Sequence, residues 1–172
     1  MAVLAKSEIM KLIKNKKLKI MPFEATQVGA GSIDLHLGSE FRVFKNHKGI
    51  LKVDENPPKK EISKILNVNK KEGIILEPNS FINGITEETI KLPKNLSGRI
   101  EGRSRFARIG LLVHVSSGFV QPGSDGKVVL EIANLSRIRL KLTPGVKICQ
   151  IVLEEVKGSG SYSGIYSKQT RP

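Results

Sequence analysis

The chain has 172 residues, 39% of them hydrophobic and 26% charged, which suits one globular domain with a core of its own. Its 29 Lys and Arg against 16 Asp and Glu give a net charge of +13, but the basic residues are spread out with few aromatics among them, unlike a nucleic-acid-binding surface. No apolar run approaches the ~20 residues of a membrane span and no leader peptide is recognisable, so we expect a cytoplasmic protein with neither membrane nor nucleic acid as a partner.

The first predicted element is a short amphipathic helix over residues 7–16, with Ser7 as its N-cap. Its apolar face is formed by three residues, Ile9, Leu12 and Ile13. Residues 32–44 then alternate apolar and polar side chains on both sides of a Gly-Ser break, and this pattern predicts a β-hairpin. Residues 45–72 are polar and rich in lysine, and we expect an excursion with one short helix near residues 62–66.

The rest of the chain predicts short strands separated by turns with Gly and Pro. The predicted strands are residues 74–76, 81–85, 97–101, 127–132, 137–142 and 146–154. Cys149 lies in the last of them and is expected to be a small buried core residue. Many short strands predict an all-β sandwich or barrel, here a single domain at residues 1–157. The Gly/Ser-rich stretch 158–172, which we call the arm, is predicted to be flexible.

Two features carry the side chains best suited to chemistry. The segment EGRSRFARIG offers a hydroxyl and several guanidinium groups, which suit a phosphate, although a basic loop on a basic protein would have the same composition. Those groups belong to Arg103, Ser104, Arg105 and Arg108. Glu131 lies between apolar residues in the strand KVVLEI. It either faces water at a sheet edge or lies in a pocket that raises its pKa and makes it a general base or acid.

Two further polar residues interrupt apolar strands. His114 in LLVHVSS is typical of a hydrogen-bonded core or interface histidine rather than a metal ligand. Asp34 in GSIDLHLG suits either a buried polar network or a bound water. The chain has three His and one Cys without the H-x-E…P-C-x-x-C spacing of zinc deaminases, so we expect no zinc site.

The order of these segments resembles the dCTP deaminase family of the dUTPase-like superfamily. Residues 102–134, with GRSRFARIGLLVHV, then PG, then VLEIAN, are similar to the family pattern G-R-S-S-x-A-R-x-G-L-x-V-H-V…I-D-P-G-W-x-G…V-L-E. The segment GSIDLHLGSEFRVF before this stretch and LKLTPGVKICQIVLEEV after it follow in the same order. Several independent motifs in the right order make a chance similarity a poor explanation.

The resemblance implies a mainly β fold, a dUTPase-like distorted β-barrel of the jelly-roll type with a short N-terminal helix and a mobile C-terminal arm. It also implies a homotrimer with active sites shared between subunits and a dNTP substrate. Mg²⁺ would be bound through the triphosphate, without metal ligands from the protein.

The resemblance also implies a role for each matching residue. Glu131 would be the general base and acid, Ser104 would position the catalytic water, and Arg108 would support that site. Six residues would bind the nucleotide: Arg103, Arg105, Ser117, Gln121, Tyr166 and Gln169. Asp34 and His114 are expected to support the site.

The sequence departs from the family pattern at four positions that bear on nucleotide preference. Gln121 replaces the Asp that meets the sugar 3′-hydroxyl, and Arg105 replaces the second serine of the arginine–serine motif. Ser124 replaces an aromatic residue, and Ile165 replaces the lysine before the tail tyrosine.

The leading hypothesis is therefore hydrolytic deamination of dCTP to dUTP and ammonia in pyrimidine deoxynucleotide (dUMP/dTTP) biosynthesis. A bifunctional enzyme that releases dUMP and pyrophosphate is one alternative, and a dUTPase-like pyrophosphatase acting on another dNTP, motivated by Gln121, is a second. A trimeric nucleotide-binding protein without turnover is a third. A nucleic-acid-binding module has only the charge of +13 in its favour.

Overall fold

The computed structural model describes residues 2–53, 59–164 and 166–172, and it confirms the predicted mainly β class. Ile165 lies outside the described residues. The elements in chain order are α1 Lys6–Lys14, β1 Lys19–Met21, a 3-10 turn Ala25–Gln27, β2 Ile33–His36, β3 Glu40–Phe44, α2 Lys59–Ile62, β4 Ser63–Asn67, β5 Ile74–Leu76, β6 Phe81–Lys91, β7 Leu96–Gly102, α3 Ser104–Ala107, β8 Leu111–Val113, β9 Phe119–Val120, β10 Asp125–Asn134, β11 Leu140–Leu142 and β12 Lys147–Glu155.

The described strands form three sheets rather than one continuous closed ladder. The larger sheet has the order β4-β3-β6-β10-β8, with β1 also paired to β6, and the smaller has the order β2-β12-β7-β9. Strands β11 and β5 form a separate pair. Buried apolar side chains from both main sheets and from α1 make one core. No helix in the described part of the chain is long and apolar enough to cross a membrane.

The alternation predicted for β10 is present in the structure. Leu130 and Ile132 are fully buried, whereas Glu131 between them lies on the opposite side of the sheet and is partly exposed. We call the side of the larger sheet that faces away from the core its outer face; β10 gives it Val129, Glu131 and Ala133. Cys149 is buried as predicted, and burial raises the pKa of its thiol.

A buried carboxylate joins the two main sheets. Glu88 of β6 has no exposed side-chain surface, and its oxygens accept hydrogen bonds from the backbone N–H of His36 at 3.0 and 3.2 Å. The Nδ1 atom of His36 lies 2.6 Å from the same carboxylate, and Nε2 of Gln27 donates to it at 2.8 Å. Since His36 ends β2 of the smaller sheet, this cluster ties that sheet to β6 of the larger one.

The hairpin predicted for residues 32–44 is wrong. β2 pairs with β12 in the smaller sheet, while β3 pairs with β4 and β6 in the larger one. The chain changes sheets between Leu37 and Gly38. The N–H of Leu37 donates to the oxygen of Val146, just before β12 of the smaller sheet, whereas the N–H of Gly38 donates to the oxygen of Ile85 in β6 at 2.7 Å. A Cβ at Gly38 would lie 2.9 Å from the Ile85 oxygen, so only glycine permits this close crossing.

Three other element predictions need correction. The short helix expected near residues 62–66 is α2, which ends at residue 62. Residues 63–67 instead form β4, because all five pair with residues of β3. The strand predicted from residue 137 begins only at residue 140, because the buried side chain of Asn134 holds a turn through Ser136 and Ile138. Helix α1 follows Ala5, so Ser7 lies inside it and is not the N-cap. Strand β5 is as predicted, and β6, β7, β10 and β12 include the predicted strands nearly completely and extend beyond them.

Replacing Glu88 with alanine should destabilise the fold, because it leaves three buried or half-buried donors without their acceptor. We expect Glu88→Ala to lower the free energy of unfolding by about 3 kcal/mol, measured from the denaturation midpoint in urea. The neighbouring Glu87→Ala is the matched control and should change the free energy of unfolding by less than about 0.5 kcal/mol. Equal effects of the two substitutions would show that the Glu88 cluster does not join the sheets.

Candidate active site

The carboxylate of Glu131 is held by the loop that follows β8. The N–H and the hydroxyl of Ser116 both donate to its Oε2, at 2.7 and 2.8 Å. The backbone N–H of Ser117 also stabilises the charged carboxylate. The side chain of Glu131 is 21% exposed, so the group is partly withdrawn from water and still open on one side.

These contacts decide the protonation state of Glu131. Burial raises the pKa of the carboxyl group, but the hydroxyl and N–H of Ser116, the neighbouring His114 ring and the N–H of Ser117 together lower it by more. The pKa of Glu131 therefore lies below its ordinary value of 4.5. At neutral pH the group is an ionised carboxylate and can accept a proton.

His114 lies behind Glu131 and has one free ring position. Its Nδ1 accepts a hydrogen bond from the backbone N–H of Glu131 at 2.9 Å, so a neutral ring carries its proton on Nε2. That Nε2 is buried, lies 3.8 Å from Oε2 of Glu131 and has no hydrogen-bond partner within the described residues. The separation is too long for a hydrogen bond. A small movement of the carboxylate, or a water, would satisfy this donor.

Glu131 belongs to a row of polar side chains across the outer face. Arg42 of β3 is paired with Asn83 of β6, and Asn83 is paired with Glu131. Directly paired residues point to the same side of a sheet with Cβ atoms about 5 Å apart. The Oδ1 atom of Asn83 is buried and accepts no hydrogen bond from the part of the chain that is described.

The predicted phosphate-binding residues line a second site, an open cleft of about 600 Å³ beside the smaller sheet. Its lining consists of Gly29, Ser32, Asp34, Arg103, Ser104, Arg105, Arg108 and Gln150. Helix α3 places Ser104 and Arg105 at the rim, and Arg108 follows its last turn. All three residues are exposed, and neither Arg105 nor Arg108 forms an ion pair with another described residue.

Arg103 differs from the other two arginines because its guanidinium is already bound. Its Nη2 lies 3.1 Å from Oδ2 of Asp34, and its Nη1 donates to the backbone oxygen of Lys147 at 2.8 Å. Asp34 and Arg103 thus form a half-buried pair that fixes the floor of the cleft. Arg105 and Arg108 remain available to an anion.

Within one chain, the two sites do not meet. Glu131 lies on the outer face of the larger sheet, with contacts from Ser116, Ser117 and His114, whereas Ser104 and Arg108 lie in the cleft beside the smaller sheet. Among the described residues, no hydrogen bond or ion pair joins these two groups. The predicted catalytic set is therefore split into two halves.

The remaining predicted nucleotide-binding residues lie near the start of β10 and in the arm. Gln121 is exposed in the turn before β10, where its backbone oxygen accepts from the Ser124 hydroxyl. Gln169 of the arm accepts from the N–H of Lys127 through its backbone oxygen. Tyr166 is 47% exposed.

The structure places in both halves further residues that the sequence did not indicate. Ser116 makes the main contacts of Glu131. The sequence signal that could have indicated this residue is its hydroxyl group, two residues after His114. In the cleft, Ser32 donates to Oε1 of Gln150 at 2.6 Å, and Gln150 donates to the backbone oxygen of Gly102. These two residues lie 118 positions apart in the sequence, so no local pattern indicated them.

The described residues contain no group of three or more His, Cys, Asp or Glu side chains that could hold a metal ion. In the cleft, the one carboxylate is Asp34, which is paired with Arg103. This donor set does not suit a divalent cation held by the protein alone.

The chain is similar throughout to one family of proteins. The dCTP deaminase-like family model matches residues 3–156. A "dCTP deaminase, dUMP-forming" of Pseudarthrobacter chlorophenolicus is 35% identical over 167 residues, covering 93% of this chain and 87% of that protein. A protein of the same name from Corynebacterium jeikeium is 36% identical over 177 residues, covering 99% of this chain and 94% of its own length.

Solved structures support the same fold. The crystal structure of 2′-deoxycytidine 5′-triphosphate deaminase from Agrobacterium tumefaciens gives a TM-score of 0.69 at 21% identity, over 90% of this chain and 48% of that one, so this chain spans about half its length. The D95N mutant dUTPase of the Staphylococcus aureus phage phi11 gives a TM-score of 0.54 at 12% identity, over 86% and 96% of the two chains. These structures confirm the predicted dUTPase-like fold, and the relatives at 35% and 36% identity confirm the prediction of an enzyme. The chain belongs to the dCTP deaminase-like family.

Proposed function

We propose that this protein is a dUMP-forming dCTP deaminase, which converts dCTP and two waters to dUMP, ammonia and pyrophosphate. The names of its relatives favour this bifunctional reaction over the release of dUTP, the leading hypothesis from the sequence alone. The observation that carries the proposal is the ionised, partly buried Glu131, held at an open position by Ser116 and backed by the buried Nε2 of His114, which has no hydrogen-bond partner in the described part of the chain.

Glu131 supplies the proton transfers of the deamination. Its carboxylate takes a proton from a water as the water oxygen bonds to C4 of cytosine, and it passes that proton to N3 of the ring. Glu131 then takes the remaining proton from the C4 hydroxyl and gives it to the amine, so that the C4–N bond breaks, ammonia leaves and C4 keeps a carbonyl oxygen. A nucleotide that covers Glu131 removes water from it, which raises its pKa towards a value at which the carboxyl can hold that proton.

The arginine cleft suits the triphosphate. Arg105 and Arg108, which form no ion pair among the described residues, offer their guanidinium groups to phosphate oxygens, and Ser104 offers a hydroxyl to a water. In the second half of the reaction a water attacks the α-phosphorus, the bond to the bridging oxygen breaks, and pyrophosphate leaves. Asp34, fixed by Arg103, is the carboxylate that this cleft can present to that water.

Magnesium enters this proposal with the nucleotide. The metal neutralises phosphate charge when it is bound, and the arginine-rich cleft fits a metal–triphosphate complex better than a free ion. The phi11 dUTPase mutant structure is described as revealing the coordination of a structural Mg(II) ion.

The split between the two halves supports a homotrimer with shared active sites. In a closed ring of three chains, the cleft of one subunit can face Glu131 of the next, so that each site receives both halves. The outer face beside Glu131 carries two exposed aromatic residues, Phe44 and Phe81, 42% and 40% exposed with ring centroids 5.6 Å apart. Exposed apolar side chains that lie together are typical of an interface.

The other nucleotide contacts are proposed from the resemblance and from position. Ser117, next to the Glu131 site, would lie beside the pyrimidine, and Gln121 would meet the sugar as an amide. Tyr166 and Gln169 would close over the nucleotide as the arm folds back along β10.

The proposed reaction is tested by incubating the protein with dCTP and magnesium and following ammonia and pyrophosphate together. The parent should release both, and Glu131→Gln should lower ammonia release at least about 100-fold, because the amide cannot take a proton. Triphosphate binding should change by less than about threefold, since the arginine cleft stays intact. Glu77→Gln, at an exposed turn, is the control. Pyrophosphate from dUTP without ammonia from dCTP contradicts the proposal.

Removing the Ser116 hydroxyl should shift the pH dependence of the reaction. That hydroxyl stabilises the charged form of Glu131, so Ser116→Ala should raise the pKa of the carboxyl group. The acid limb of the kcat/KM profile, at which Glu131 becomes protonated and inactive, should therefore move to higher pH. Ser80→Ala, whose hydroxyl bonds only to an exposed turn, should leave the profile unchanged. An acid limb that stays in place or moves to lower pH would show that Ser116 does not set the charge of Glu131.

Shared sites are tested by mixing two inactive variants. Glu131→Gln and Ser104→Ala should each be inactive alone, but a mixed trimer contains sites that take Glu131 from one chain and Ser104 from another. Random mixing at equal amounts should restore about one quarter of the parent activity. Co-expression or joint refolding followed by the ammonia assay measures it. A mixture as inactive as its components shows that both residues act within one chain.

A further inference from the structure

The arm is bound to its own chain at several points. Near its start, the N–H of Tyr162 donates to the Pro122 oxygen at 2.9 Å. Further on, the N–H groups of Asp125 and Lys127 donate to the backbone oxygens of Ser167 and Gln169, at 3.2 and 2.8 Å. Residue numbers increase in the same direction along the two paired segments, so the arm runs parallel to the start of β10 and towards Glu131.

The end of the arm reaches a different strand, β3. Arg42 donates from Nε and Nη2 to the backbone oxygen of Pro172, at 3.0 and 2.7 Å, and Pro172 is buried. The third nitrogen, Nη1, donates to the hydroxyl of Ser63 at 2.9 Å and so fixes the guanidinium plane.

Glu40 makes a second contact with the arm, beside that of Arg42. Here β3 supplies the acidic group and the arm supplies the basic one. Oε2 of Glu40 is buried, accepts no hydrogen bond from the described residues, and lies 3.6 Å from Nε of Arg171. Glu40 and Arg42 are two residues apart on β3 and therefore point to the same side of the sheet. Together they present one acid and one base to two consecutive arm residues.

This arrangement fixes where the arm crosses the sheet. Strand β6 lies between β10 and β3, and the chain between Gln169 and Pro172 runs from its contact with β10 to the guanidinium of Arg42 on β3. Phe41, between Glu40 and Arg42, is fully buried in the core, so the passage is on the outer face. That face carries Asn83 and Glu131 in the row that begins with Arg42.

We propose that Arg42 and Glu40 form a clamp that holds the arm closed across the outer face beside Glu131, and that Arg42 is thereby a positioning residue for the nucleotide. The clamp acts through the arm and touches no reacting atom. This inference rests on the proposed function only where it concerns the nucleotide, because the contacts of the clamp all lie within the chain itself.

The charge chemistry explains why the clamp holds. A guanidinium that donates twice to one oxygen forms charge-assisted bonds, which are about twice as strong as neutral ones. The buried oxygen of Glu40 loses its nearest cation when Arg171 leaves, and a buried carboxylate oxygen without a partner is destabilising. Opening of the arm therefore breaks two charged contacts together with the two backbone bonds to β10.

The test is amide hydrogen exchange of the full-length protein without nucleotide, read at Asp125 and Lys127, whose N–H groups bond to the arm. In Arg42→Met, which keeps the length of the side chain, exchange at both amides should become about tenfold faster. Arg171→Met removes a 71% exposed side chain, cannot disturb the core, and should act in the same direction. Arg139→Met, which breaks an exposed ion pair with Glu77, is the matched control and should change neither amide.

Kinetics give the second readout. With dCTP, Arg42→Met should raise KM about tenfold and change kcat by less than about threefold, because the arm encloses the nucleotide and the chemistry belongs to Glu131. The double variant Glu40→Arg with Arg171→Glu reverses the two charges of the ion pair. It should restore the slow amide hydrogen exchange that either single substitution loses.

Unchanged exchange in both Arg42→Met and Arg171→Met overturns the clamp, whatever the enzyme does with dCTP. Equal acceleration by Arg139→Met overturns it as well, since the effect would then be general loosening. A parent protein without deaminase activity contradicts the proposed function alone, because the exchange experiment still decides whether the clamp exists.

Discussion

The hydrogen-bonded carboxylate of Glu88 is the constraint on which the arrangement of both half-sites depends. A charge without exposed surface is tolerated only when its oxygens are fully hydrogen-bonded, and His36 and Gln27 supply those bonds. Because His36 ends β2, the strand that carries Asp34, the cluster fixes the arginine cleft relative to β6. Strand β6 in turn pairs with β10, which carries Glu131. One buried acid thus connects the strands that carry the two proposed half-sites.

The two faces of β6 carry different kinds of side chain, one facing the core and the other facing the proposed site. Towards the core it presents Ile82 and Ile90, together with Glu88, and on the outer face Asn83 lies between Arg42 and Glu131. The register of β10 against β6 shifts between Lys127 and Val129. Such an irregularity re-aims side chains along a strand. Beyond this shift β10 carries Glu131, and before it β10 binds the arm, so one strand carries the proposed base and holds the segment proposed to cover it.

Local patterns in the sequence predicted the features that depend on neighbouring residues. They failed for features, such as strand pairing, that depend on residues far apart in the sequence. Strict alternation in β10 placed Glu131 opposite the buried Leu130 and Ile132, and the structure agrees. The same reasoning at residues 32–44 gave a hairpin, because alternation does not tell which strand is the partner, and the crossing at Gly38 depends on Ile85. The bond from Ser116 to Glu131 depends on a loop conformation, and the contact of Arg42 with Pro172 joins residues 130 positions apart. Neither has a local signature.

The electrostatics of the two halves explain why a divided site suits the proposed chemistry. In a single chain the hydrogen bonds from Ser116 and Ser117, together with the neighbouring His114 ring, lower the pKa of Glu131, so the carboxylate is ionised but is a weak base. In the proposed assembly Arg108 of a neighbouring chain would lower that pKa further, whereas a triphosphate beside the arginines would neutralise their charge and raise it. Closure of the arm would remove water and raise it again. Glu131 would then become an effective base only when the nucleotide is bound and covered. Without the nucleotide, Glu131 would not take a proton from a neighbouring water.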